Sequence, residues 1–524
     1  MSTAASGTRA PSTTGCRPLH EDPRRRSAGR LWPRLLGALA SGVLATLAFP
    51  PYDLWPLAVP AVALLTVLCR DQRPRRAALL GLAHGLAVFL PLLEWMRVIG
   101  VDAWVGLALL EAAFFAVTGV ALALVARLPG WPLWAACLWV GQELARATIP
   151  FGGFPWGRLA FGQTGSPFTP YAAWGGAALV TFATALTGTL LALVLVRRRS
   201  RGVAVGALVA ALAVPLAAFA IPLPTTGSPT TAALVQGGVA EAGLGFLGER
   251  EEVLRNHVEA TLRLADDIAA GRVPRPDLVI WPENASDIDP FTDPEAFELI
   301  DGAVRAVGVP VLVGAVLDGP GPDHVSNAGI VWSPDTGPGA RYVKRHPVPF
   351  GEYIPFRDQL SGVIARLDQI PRDFFAGSRP GALDLGPARV GDVICFEIAY
   401  DGLVRDVVEE DAQVLVVQTN NATYNGTGQT EQQLAMSRLR AIEHGRAVLV
   451  AATSGISAVI SPDGRVQQRT AELTTETLVA EIPLRTDRTI ATRLGSVPEW
   501  LLAVTGLSAA VVGGLLARRE RRPM

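Results

Sequence analysis

The sequence predicts a multi-pass α-helical membrane domain of about eight spans, with an α/β domain inserted before the last span. Half of the 524 residues are hydrophobic, whereas 18% are charged. Apolar runs close to the length that crosses a bilayer recur through the first part of the chain. Short Val-, Ile- and Leu-rich strands then alternate with amphipathic helices, a pattern typical of sheets covered by helices. The net charge of −1 gives no basic excess of the kind that indicates a nucleic-acid partner.

The predicted membrane domain occupies residues 31–221 and contains seven apolar runs. We expect residues 1–30, rich in Ser, Thr, Pro and Arg, to form a disordered tail. The first run, LLGALASGVLATLAF, also fits a signal peptide, but further apolar runs follow at once and favour a span. An eighth predicted span, 499–517, precedes a short tail, 518–524.

Arginine clusters predict the orientation of these spans. If RRRSAGR, before the first run, is cytoplasmic, every second loop should carry the Lys/Arg excess. Those loops contain RDQRPRR (70–76), Arg127 and RRRSR (197–201), and ARRERRP follows the last run. The opposite loops, such as EWMRVIGVDA, are sparse in basic residues. The sequence therefore predicts a plasma (cell) membrane protein with cytoplasmic termini and an extracytoplasmic α/β domain.

The α/β domain is predicted at 232–488, after the linker PLPTTGSPTT (222–231). Its helices are predicted by apolar periodicity at 246–270, 293–307, 402–410 and 429–445. SPDG predicts a hairpin turn leading into RVQQRT. The predicted strands are TAALVQGG, DLVIWPE, VPVLVGAVL, SNAGIVWSP, RVGDVICFE, AQVLVVQTN, RAVLVAATS and GISAVISPDG.

Of four cysteines in the chain, only Cys395, within GDVICFEIAYDG (391–402), lies in this domain. A lone thiol in an exported domain is either a buried inert residue or a reactive one. Position alone favours the inert residue, a small hydrophobe on a core strand. The interpretation therefore depends on the neighbouring chemistry.

Two other segments supply that chemistry. RYVKRHPVPFGEYIPF (341–356) carries Lys344, the only lysine among 46 basic residues. The ammonium group of lysine is a compact hydrogen-bond donor, whereas the guanidinium group of arginine is planar and broad. A solvated basic residue in this chain would ordinarily be arginine. LVIWPENA (278–285) ends an apolar strand near Glu283, where α/β sheets present catalytic groups. The alternative for Glu283 is an acid that caps the next helix.

A cysteine, a lysine and a glutamate together form a chemical unit. A thiol needs a base and a nearby cation to react as thiolate. Glu283 is suited to accept the proton, and Lys344 to stabilise the thiolate or a tetrahedral oxyanion. The backbone N–H of Phe396 is a candidate second oxyanion donor.

These motifs resemble the nitrilase superfamily, whose Glu-Lys-Cys triad has this chain order, and within it the apolipoprotein N-acyltransferase family. The resemblance covers nearly the whole chain, because that family has eight spans with the hydrolase-like domain inserted before the last. It implies an αββα sandwich in which Glu283 is the general base, Lys344 the charge stabiliser and Cys395 the nucleophile. The segments that carry it are WPEN, YVKRHPVPFGEYIPF, GDVICFE, TNNATY, QQLAMSRLRAIEHGR and TSGISAVI.

The same resemblance implies further site residues. Glu352 in FGEY and Glu397 in CFE match supporting acids, and Asn327 in SNAGI and Gln236 in LVQGG match segments of the active site. Two departures stand out: Phe396 replaces a frequent tyrosine, and GGVAEAGLGF, after Gln236, lacks an expected tryptophan.

The function implied is ping-pong acyl transfer without metal or other cofactor. A phospholipid donates an acyl chain to the cysteine, and the α-amino group of a lipoprotein's diacylglyceryl-cysteine accepts it. In some relatives from high-GC bacteria a polyprenol-phosphate mannose synthase is a partner or a fused domain, so such a synthase is a candidate partner here.

Several alternatives remain. A membrane-anchored nitrilase-type amidase would use the same triad, with water as acceptor, but an anchor needs one span rather than eight. The Gly- and aromatic-rich outer loop FGGFPWGRLAFG also favours lipid access. An extracytoplasmic binding domain without catalysis would not need Cys395 or Lys344. A Cys-His dyad with His346 leaves the lone lysine unexplained, and no His/Cys spacing of a metal site is present.

Overall fold

The computed structural model describes residues 31–239, 250–357 and 371–519. The predicted N-terminal tail, most of the C-terminal tail and most of GGVAEAGLGF lie outside these ranges. The described part of the membrane domain consists of helices α1 Leu31–Leu47, α2 Ala58–Cys69, α3 Pro74–Leu92, α4 Val101–Val125, α5 Trp131–Arg146, α6 Ala172–Val196, α7 Arg201–Ala218 and α13 Val497–Arg519.

Helix length and composition indicate a membrane protein. Within the described ranges, five helices are long and apolar enough to cross a bilayer, namely α3, α4, α6, α7 and α13. The helices Leu31–Leu47 and Trp55–Cys69 are apolar but shorter. Helix α5 has 16 residues and includes Glu143 and Arg146. The prediction of about eight spans therefore stays a prediction.

Small residues let the membrane helices approach closely. A Cβ atom added to Gly81 of α3 would lie 1.9 Å from the carbonyl oxygen of Phe115 on α4. One added to Gly119 of α4 would lie 2.3 Å from the carbonyl oxygen of Ala77. Because lipid provides no hydrophobic drive for helix association, such backbone contact is a main source of attraction between membrane helices.

The α/β domain contains two sheets and several helices. Its helices are α8 Arg250–Ala269, α9 Pro294–Val307, α10 Asp401–Glu409 and α11 Gln429–His444, and α12 Ile490–Leu494 leads to α13. The strands are β1 Ser228–Gln236, β2 Leu278–Ile280, β3 Val311–Asp318, β4 His324–Ser333, β5 Gly337–Val343, β6 Asp373–Phe374, β7 Ala382–Leu385, β8 Ala388–Ile394, β9 Val414–Thr419, β10 Val448–Ala452, β11 Ala458–Ile460, β12 Val466–Arg469 and β13 Glu476–Leu484. The strand orders are β13-β1-β2-β3-β4-β5 in one sheet and β12-β11-β10-β9-β8-β7 in the other, and β6 pairs with β4.

Alternating side chains on these strands build separate apolar layers. On β2, Leu278 and Ile280 pack between the two sheets, whereas Val279 faces α8 and α9. On β9, Val414 and Val416 likewise face the other sheet. The two sheets are thus packed face to face with helices outside, which confirms the predicted αββα sandwich.

The helices α10 and α11 connect this sandwich to the membrane helices. One continuous apolar cluster contains Leu434 and Met436 of α11, Val404 of α10, and the membrane-domain residues Phe161 and Trp156. Nearly all of α11 is buried, so the face that it turns away from its sheet lies against the membrane domain, whereas α10 buries only Val404, Val407 and Val408.

The predicted strands and helices of the sandwich are found, and the SPDG turn joins the antiparallel strands β11 and β12. Strands β5, β6, β7 and β13 were not predicted, and β5, β7 and β13 lie at sheet edges. Strand β5 has the composition GPGARYV, and β6 and β7 are short. These three strands bury little apolar surface, so their sequence pattern is weak. Strand β13, ETLVAEIPL, alternates buried and more exposed residues and was missed despite that pattern.

An ionic cluster joins the two domains. Arg158, in the loop after α5, is 2.6 Å from Asp401 at the start of α10 and 2.9 Å from Glu499 of α13. Arg440 of α11 forms ion pairs with Asp401 and with Glu443. Burial by itself raises the pKa of Asp401, but the guanidinium groups of Arg158 and Arg440 outweigh it and hold that pKa below its ordinary value.

Asp401→Asn is expected to destabilise the protein by about 3–5 kcal/mol, because two buried guanidinium groups lose their shared carboxylate. A lowered carboxyl pKa stabilises the fold above the ordinary value of 3.8, and this contribution is lost as pH falls through the folded-state pKa. Thermal unfolding in detergent measures the effect. Asp384→Asn is the control, since Asp384 pairs with Arg389 but is 81% exposed, and it should cost under about 1 kcal/mol. Equal unfolding temperatures for the two variants would contradict the prediction.

Candidate active site

The predicted triad residues converge where several strands end. Cys395 directly follows β8, Lys344 directly follows β5, and Glu283 lies three residues beyond β2. Thr419 is the last residue of β9, the neighbour of β8. The carboxyl ends of strands are where α/β sheets place reactive groups, because backbone and loops there are free to present side chains.

Glu283, Lys344 and Glu352 form a buried charged cluster. The Lys344 Nζ atom is 3.0 Å from Glu283 Oε1 and 2.8 Å from Glu352 Oε1. Asn327 Nδ2 donates to Glu283 Oε1 at 2.6 Å and to Glu352 Oε1 at 3.3 Å. The backbone N–H of Asn420 donates to Glu283 Oε2 at 2.8 Å. The Glu283 carboxylate is therefore held by an ammonium, an amide side chain and a backbone amide.

Electrostatics keep Lys344 charged. Its side chain is 2% exposed, and burial disfavours the ammonium form. The carboxylates of Glu283 and Glu352 outweigh burial and raise the pKa of Lys344 well above its ordinary value. The site thus contains a fixed positive charge.

Cys395 occupies a turn in the left-handed backbone region, with φ of 54°. Such a conformation is costly for a non-glycine residue and is found preferentially at functional sites. The Sγ atom lies 3.3 Å from Thr419 Oγ1 and 3.9 Å from Gln433 Nε2. Burial, and then the Glu283 carboxylate, raise the pKa of the Cys395 thiol to about 12, while Lys344 and Thr419 act in the opposite direction. The resting side chain is therefore a thiol.

Glu397 supports the site although it makes no hydrogen bond to Glu283 or Lys344. Its carboxylate accepts hydrogen bonds from the backbone N–H groups of Arg345 at 2.7 Å, His346 at 2.9 Å and Ile394 at 2.8 Å, and from the Tyr342 hydroxyl. Burial raises the pKa of Glu397, against these donors. Glu397 thereby ties the segment around Lys344 to the strand that ends at Cys395.

Gln236 is fully buried but is not brought to this cluster. Its amide donates to the carbonyl oxygens of Ala471 and Thr474 and accepts from Ser457 and Thr470. These contacts join β1 to the segments around β11 and β12. A role for Gln236 in the site stays a prediction.

His346 does not pair with the cysteine. Its ring packs on Tyr400 with centroids 4.2 Å apart, and the hydrogen-bond neighbours of Cys395 Sγ are Thr419 and Gln433. Burial, and then the Lys344 charge, lower the pKa of His346. This arrangement disfavours the Cys-His dyad.

Aromatic residues of the membrane domain adjoin the cysteine. The ring of Phe396 stacks on Phe154 and Trp156 with centroids 5.6 and 5.9 Å apart. The indole N–H of Trp156 donates to Gln432 Oε1 at 2.6 Å, and Trp95 donates to the same oxygen at 3.2 Å. Phe396, which replaces a frequent tyrosine, thus connects the reactive turn to a membrane-domain loop.

Sequence reasoning missed Thr419, Asn420, Gln433 and Tyr342 as site residues. Asn420 and Gln433 lie in TNNATY and QQLAMSRLRAIEHGR, the segments that carried the resemblance. The segments were therefore a usable signal, although polar residues of common types gave no indication of which side chains reach the sulfur.

The sandwich has the fold of the carbon–nitrogen hydrolases. Residues 231–491 match the carbon–nitrogen hydrolase family model, and residues 41–190 match that of the apolipoprotein N-acyltransferase N-terminal domain. An amidase structure from Nesterenkonia sp. is 19% identical with a TM-score of 0.37, covering 52% of this chain and 95% of that one.

Proteins named apolipoprotein N-acyltransferase match almost end to end. The one from Mycolicibacterium smegmatis is 40% identical, covering 91% of this chain and 84% of that protein. The one from Azotobacter vinelandii is 30% identical, covering 93% of this chain and 96% of that protein. The one from Vibrio cholerae is 28% identical, covering 93% of this chain and 98% of that protein. The chain belongs to the apolipoprotein N-acyltransferase family. It is an acyltransferase, and its apolar helices make it a membrane protein.

Proposed function

We propose that the protein moves an acyl chain from a phospholipid to the α-amino group of a lipoprotein's diacylglyceryl-cysteine through a thioester on Cys395. Glu283 is the general base, and Lys344 stabilises negative charge. Glu352 and Asn327 orient both groups through the contacts described above, and Glu397 fixes the turn.

The chemistry proceeds in two halves. The Cys395 thiol gives its proton to Glu283, and the thiolate attacks the ester carbonyl. The ester C–O bond breaks, Glu283 returns the proton to the leaving oxygen, and a lysophospholipid departs. The lipoprotein amine then attacks the thioester and gives a proton to Glu283. That proton passes to the sulfur as the C–S bond breaks, and the amide product leaves.

One observation carries this proposal: the reactive turn is packed against the membrane domain. Phe396, next to the nucleophile, stacks on Phe154 and Trp156, and the Tyr400 hydroxyl donates to the Gly153 carbonyl at 2.8 Å. Because of this contact the nucleophile lies beside the membrane domain, where the apolar acyl chains of phospholipids are favoured, whereas hydrolysis of a small amide gains nothing from that position.

An exposed aromatic cluster supports lipid access. Phe151 of the membrane domain packs against Phe350 and Phe356, which follow Lys344 in the chain, with ring centroids 6.2 and 5.8 Å apart. All three are at least 41% exposed, and each has a positive φ. We propose that acyl chains enter beside this cluster.

We further propose the predicted topology of about eight spans, with the domain limits given above, cytoplasmic termini and an extracytoplasmic catalytic domain. Helix packing supports it. A Cβ added to Gly506 of α13 would lie 2.8 Å from Cys137 of α5, and one added to Gly513 would lie 2.6 Å from Leu124 of α4. The arginine-rich end of α13 therefore lies on the side of the loop that contains Arg127, in keeping with the positive-inside rule.

The acyl donor and acceptor define the proposed partners, a phospholipid and a diacylated lipoprotein within the membrane. A polyprenol-phosphate mannose synthase remains a proposed protein partner. The amidase stays the second candidate function, because its thioester chemistry would use the same three residues.

Mass spectrometry of a lipoprotein's amino-terminal peptide tests the function. Cells lacking their native enzyme are complemented with wild type, Cys395→Ser or Cys137→Ala, the last a buried cysteine of α5 outside the site. At equal membrane levels we expect triacylated peptide with wild type and Cys137→Ala, and diacylated peptide with Cys395→Ser.

Triacylation by Cys395→Ser would exclude Cys395 as the nucleophile. Diacylated peptide in every strain, including one that also expresses a polyprenol-phosphate mannose synthase, would favour the amidase. Release of ammonia from small amides by the purified protein would then be measured.

A further inference from the structure

Two polar side chains outside the predicted triad contact the Cys395 sulfur. Thr419 Oγ1 is 3.3 Å from Sγ, and Gln433 Nε2 is 3.9 Å from it. Thr419 ends β9 and Gln433 lies on α11, and they are 1% and 2% exposed. Both reach the sulfur from the sheet that carries Cys395 and its covering helix, whereas Lys344 comes from the other sheet.

The orientation of the Gln433 amide is fixed by its other contacts. Its Oε1 atom accepts from Asn421 Nδ2 at 2.6 Å and lies 3.2 Å from Thr419 Oγ1. Asn421 Nδ2 also donates to Gln429 Oε1 at 2.8 Å, which fixes the Asn421 amide in turn. Since a glutamine amide has one oxygen and one NH₂ group, the NH₂ group must face the sulfur.

Thr419 has one hydroxyl proton and three nearby acceptors: Cys395 Sγ, Asn421 Oδ1 and Gln433 Oε1. A hydroxyl rotates to the acceptor with the greatest negative charge. When the sulfur becomes a thiolate, that acceptor is Sγ.

From this geometry we propose that Gln433 and Thr419 donate hydrogen bonds to the Cys395 sulfur as it becomes negatively charged. The inference rests on the proposed role of Cys395 as nucleophile. Gln433 and Thr419 are then catalytic residues, since they touch the reacting atom. Asn421 and Gln429 are positioning residues that aim the Gln433 amide.

The charge balance of the site explains the need for neutral donors. Lys344 is shared between Glu283 and Glu352, so the three groups carry a net charge of about −1 before the cysteine ionises. Transfer of the cysteine proton to Glu283 leaves those three groups with no net charge and puts the negative charge on the sulfur. Hydrogen bonds from neutral donors stabilise a charged sulfur without adding a charge that attracts other anions.

The test is the pH dependence of Cys395 alkylation by iodoacetamide in the purified full-length protein, read from the mass of the Cys395 peptide. Gln433→Met keeps the length of the side chain and removes the donor. We expect about tenfold slower alkylation at pH 8, as a rise of about one unit in the apparent thiol pKa requires. Ser437→Ala is the control, because Ser437 lies one turn further along α11, donates to the Gln433 backbone at 3.1 Å and should leave the profile unchanged.

Thr419→Val and Thr419→Ser form an independent pair. Valine removes the hydroxyl at similar volume and should slow alkylation, whereas serine keeps the donor and should restore it. If Gln433→Met does not fold, this pair of variants tests whether the Cys395 sulfur needs these hydrogen-bond donors. Wild-type profiles for folded Gln433→Met, or for both Thr419 variants, would overturn the inference.

Failure here is distinguishable from failure of the proposed function. Triacylation by Cys395→Ser would show that Cys395 is not the nucleophile, and the proposed function would fail. If triacylation requires Cys395 but the alkylation profiles of these variants are unchanged, only the inference about the Gln433 and Thr419 donors fails.

Discussion

Lys344→Met is expected to lower acyl transfer by about 10²–10³-fold, the usual effect of losing a charge-stabilising donor. It should also destabilise the fold by about 3–5 kcal/mol, because it leaves the Glu283 and Glu352 carboxylates buried without their shared cation. Initial rates with a phospholipid donor and a diacylated lipopeptide, and thermal unfolding in detergent, measure the two effects.

The raised pKa of Lys344 sets the pH range of this stabilisation. A lysine whose folded-state pKa is raised contributes its full stabilisation below the ordinary value of 10.5 and loses it as pH rises through the folded-state pKa. The stability difference between wild type and Lys344→Met should therefore show no loss from lysine titration up to about pH 10.

Two further variants sharpen this prediction. Lys344→Arg keeps the charge but replaces a point donor by a planar fork, and we expect it not to restore transfer. Arg345→Met removes the neighbouring cation, which pairs with Asp406 and is 24% exposed, and should cost under about 1 kcal/mol. A Lys344→Arg enzyme with at least half the wild-type rate would show that charge alone suffices.

Glu283→Gln should have opposite effects on transfer and on thiol reactivity. Transfer should fall by about 10²–10⁴-fold, because the general base is lost. Yet the Glu283 carboxylate is, after burial, the largest contribution that raises the pKa of Cys395. Its removal should lower that pKa from about 12, increase the thiolate fraction at pH 8 and accelerate alkylation of Cys395.

Loss of structure would also accelerate alkylation of the buried Cys69 and Cys137, so their alkylation is measured alongside and should stay unchanged in Glu283→Gln. Glu410→Gln, at an exposed residue that directly follows α10, is the matched control and should change neither rate. Alkylation of Cys395 that is unchanged or slower in Glu283→Gln would contradict the assigned electrostatic coupling.

Residue types that are rare in this chain made the centre of the site predictable. One lysine among 46 basic residues and one cysteine in the α/β domain single out Lys344 and Cys395 by composition alone. Glu283 was identifiable because it follows a fully apolar strand. Lys344 contacts both Glu283 and Glu352, and their roles stay predictions. Gln236, taken from a matching segment, is hydrogen-bonded elsewhere.

The remaining parts depended on tertiary structure. Thr419 and Gln433 are ordinary polar residues, and only the pairing of β8 with β9 and the placement of α11 bring them to the sulfur. The edge strand β5 contains too few apolar residues to stand out, whereas β13 alternates buried and more exposed residues and was missed despite that pattern. The burial of α11 against the membrane helices was not predicted, because its apolar face is also explained by packing on a sheet.

The pairing of β1 with β13 has a consequence for biosynthesis. Ser228 lies opposite Leu484, so the chain enters and leaves the α/β domain at neighbouring points. Strand β1 emerges from the ribosome early but finds this partner only after some 250 further residues have been made. The sandwich therefore completes folding late in translation, at about the time when the last membrane helix is made. The catalytic site and its membrane attachment are thus finished together.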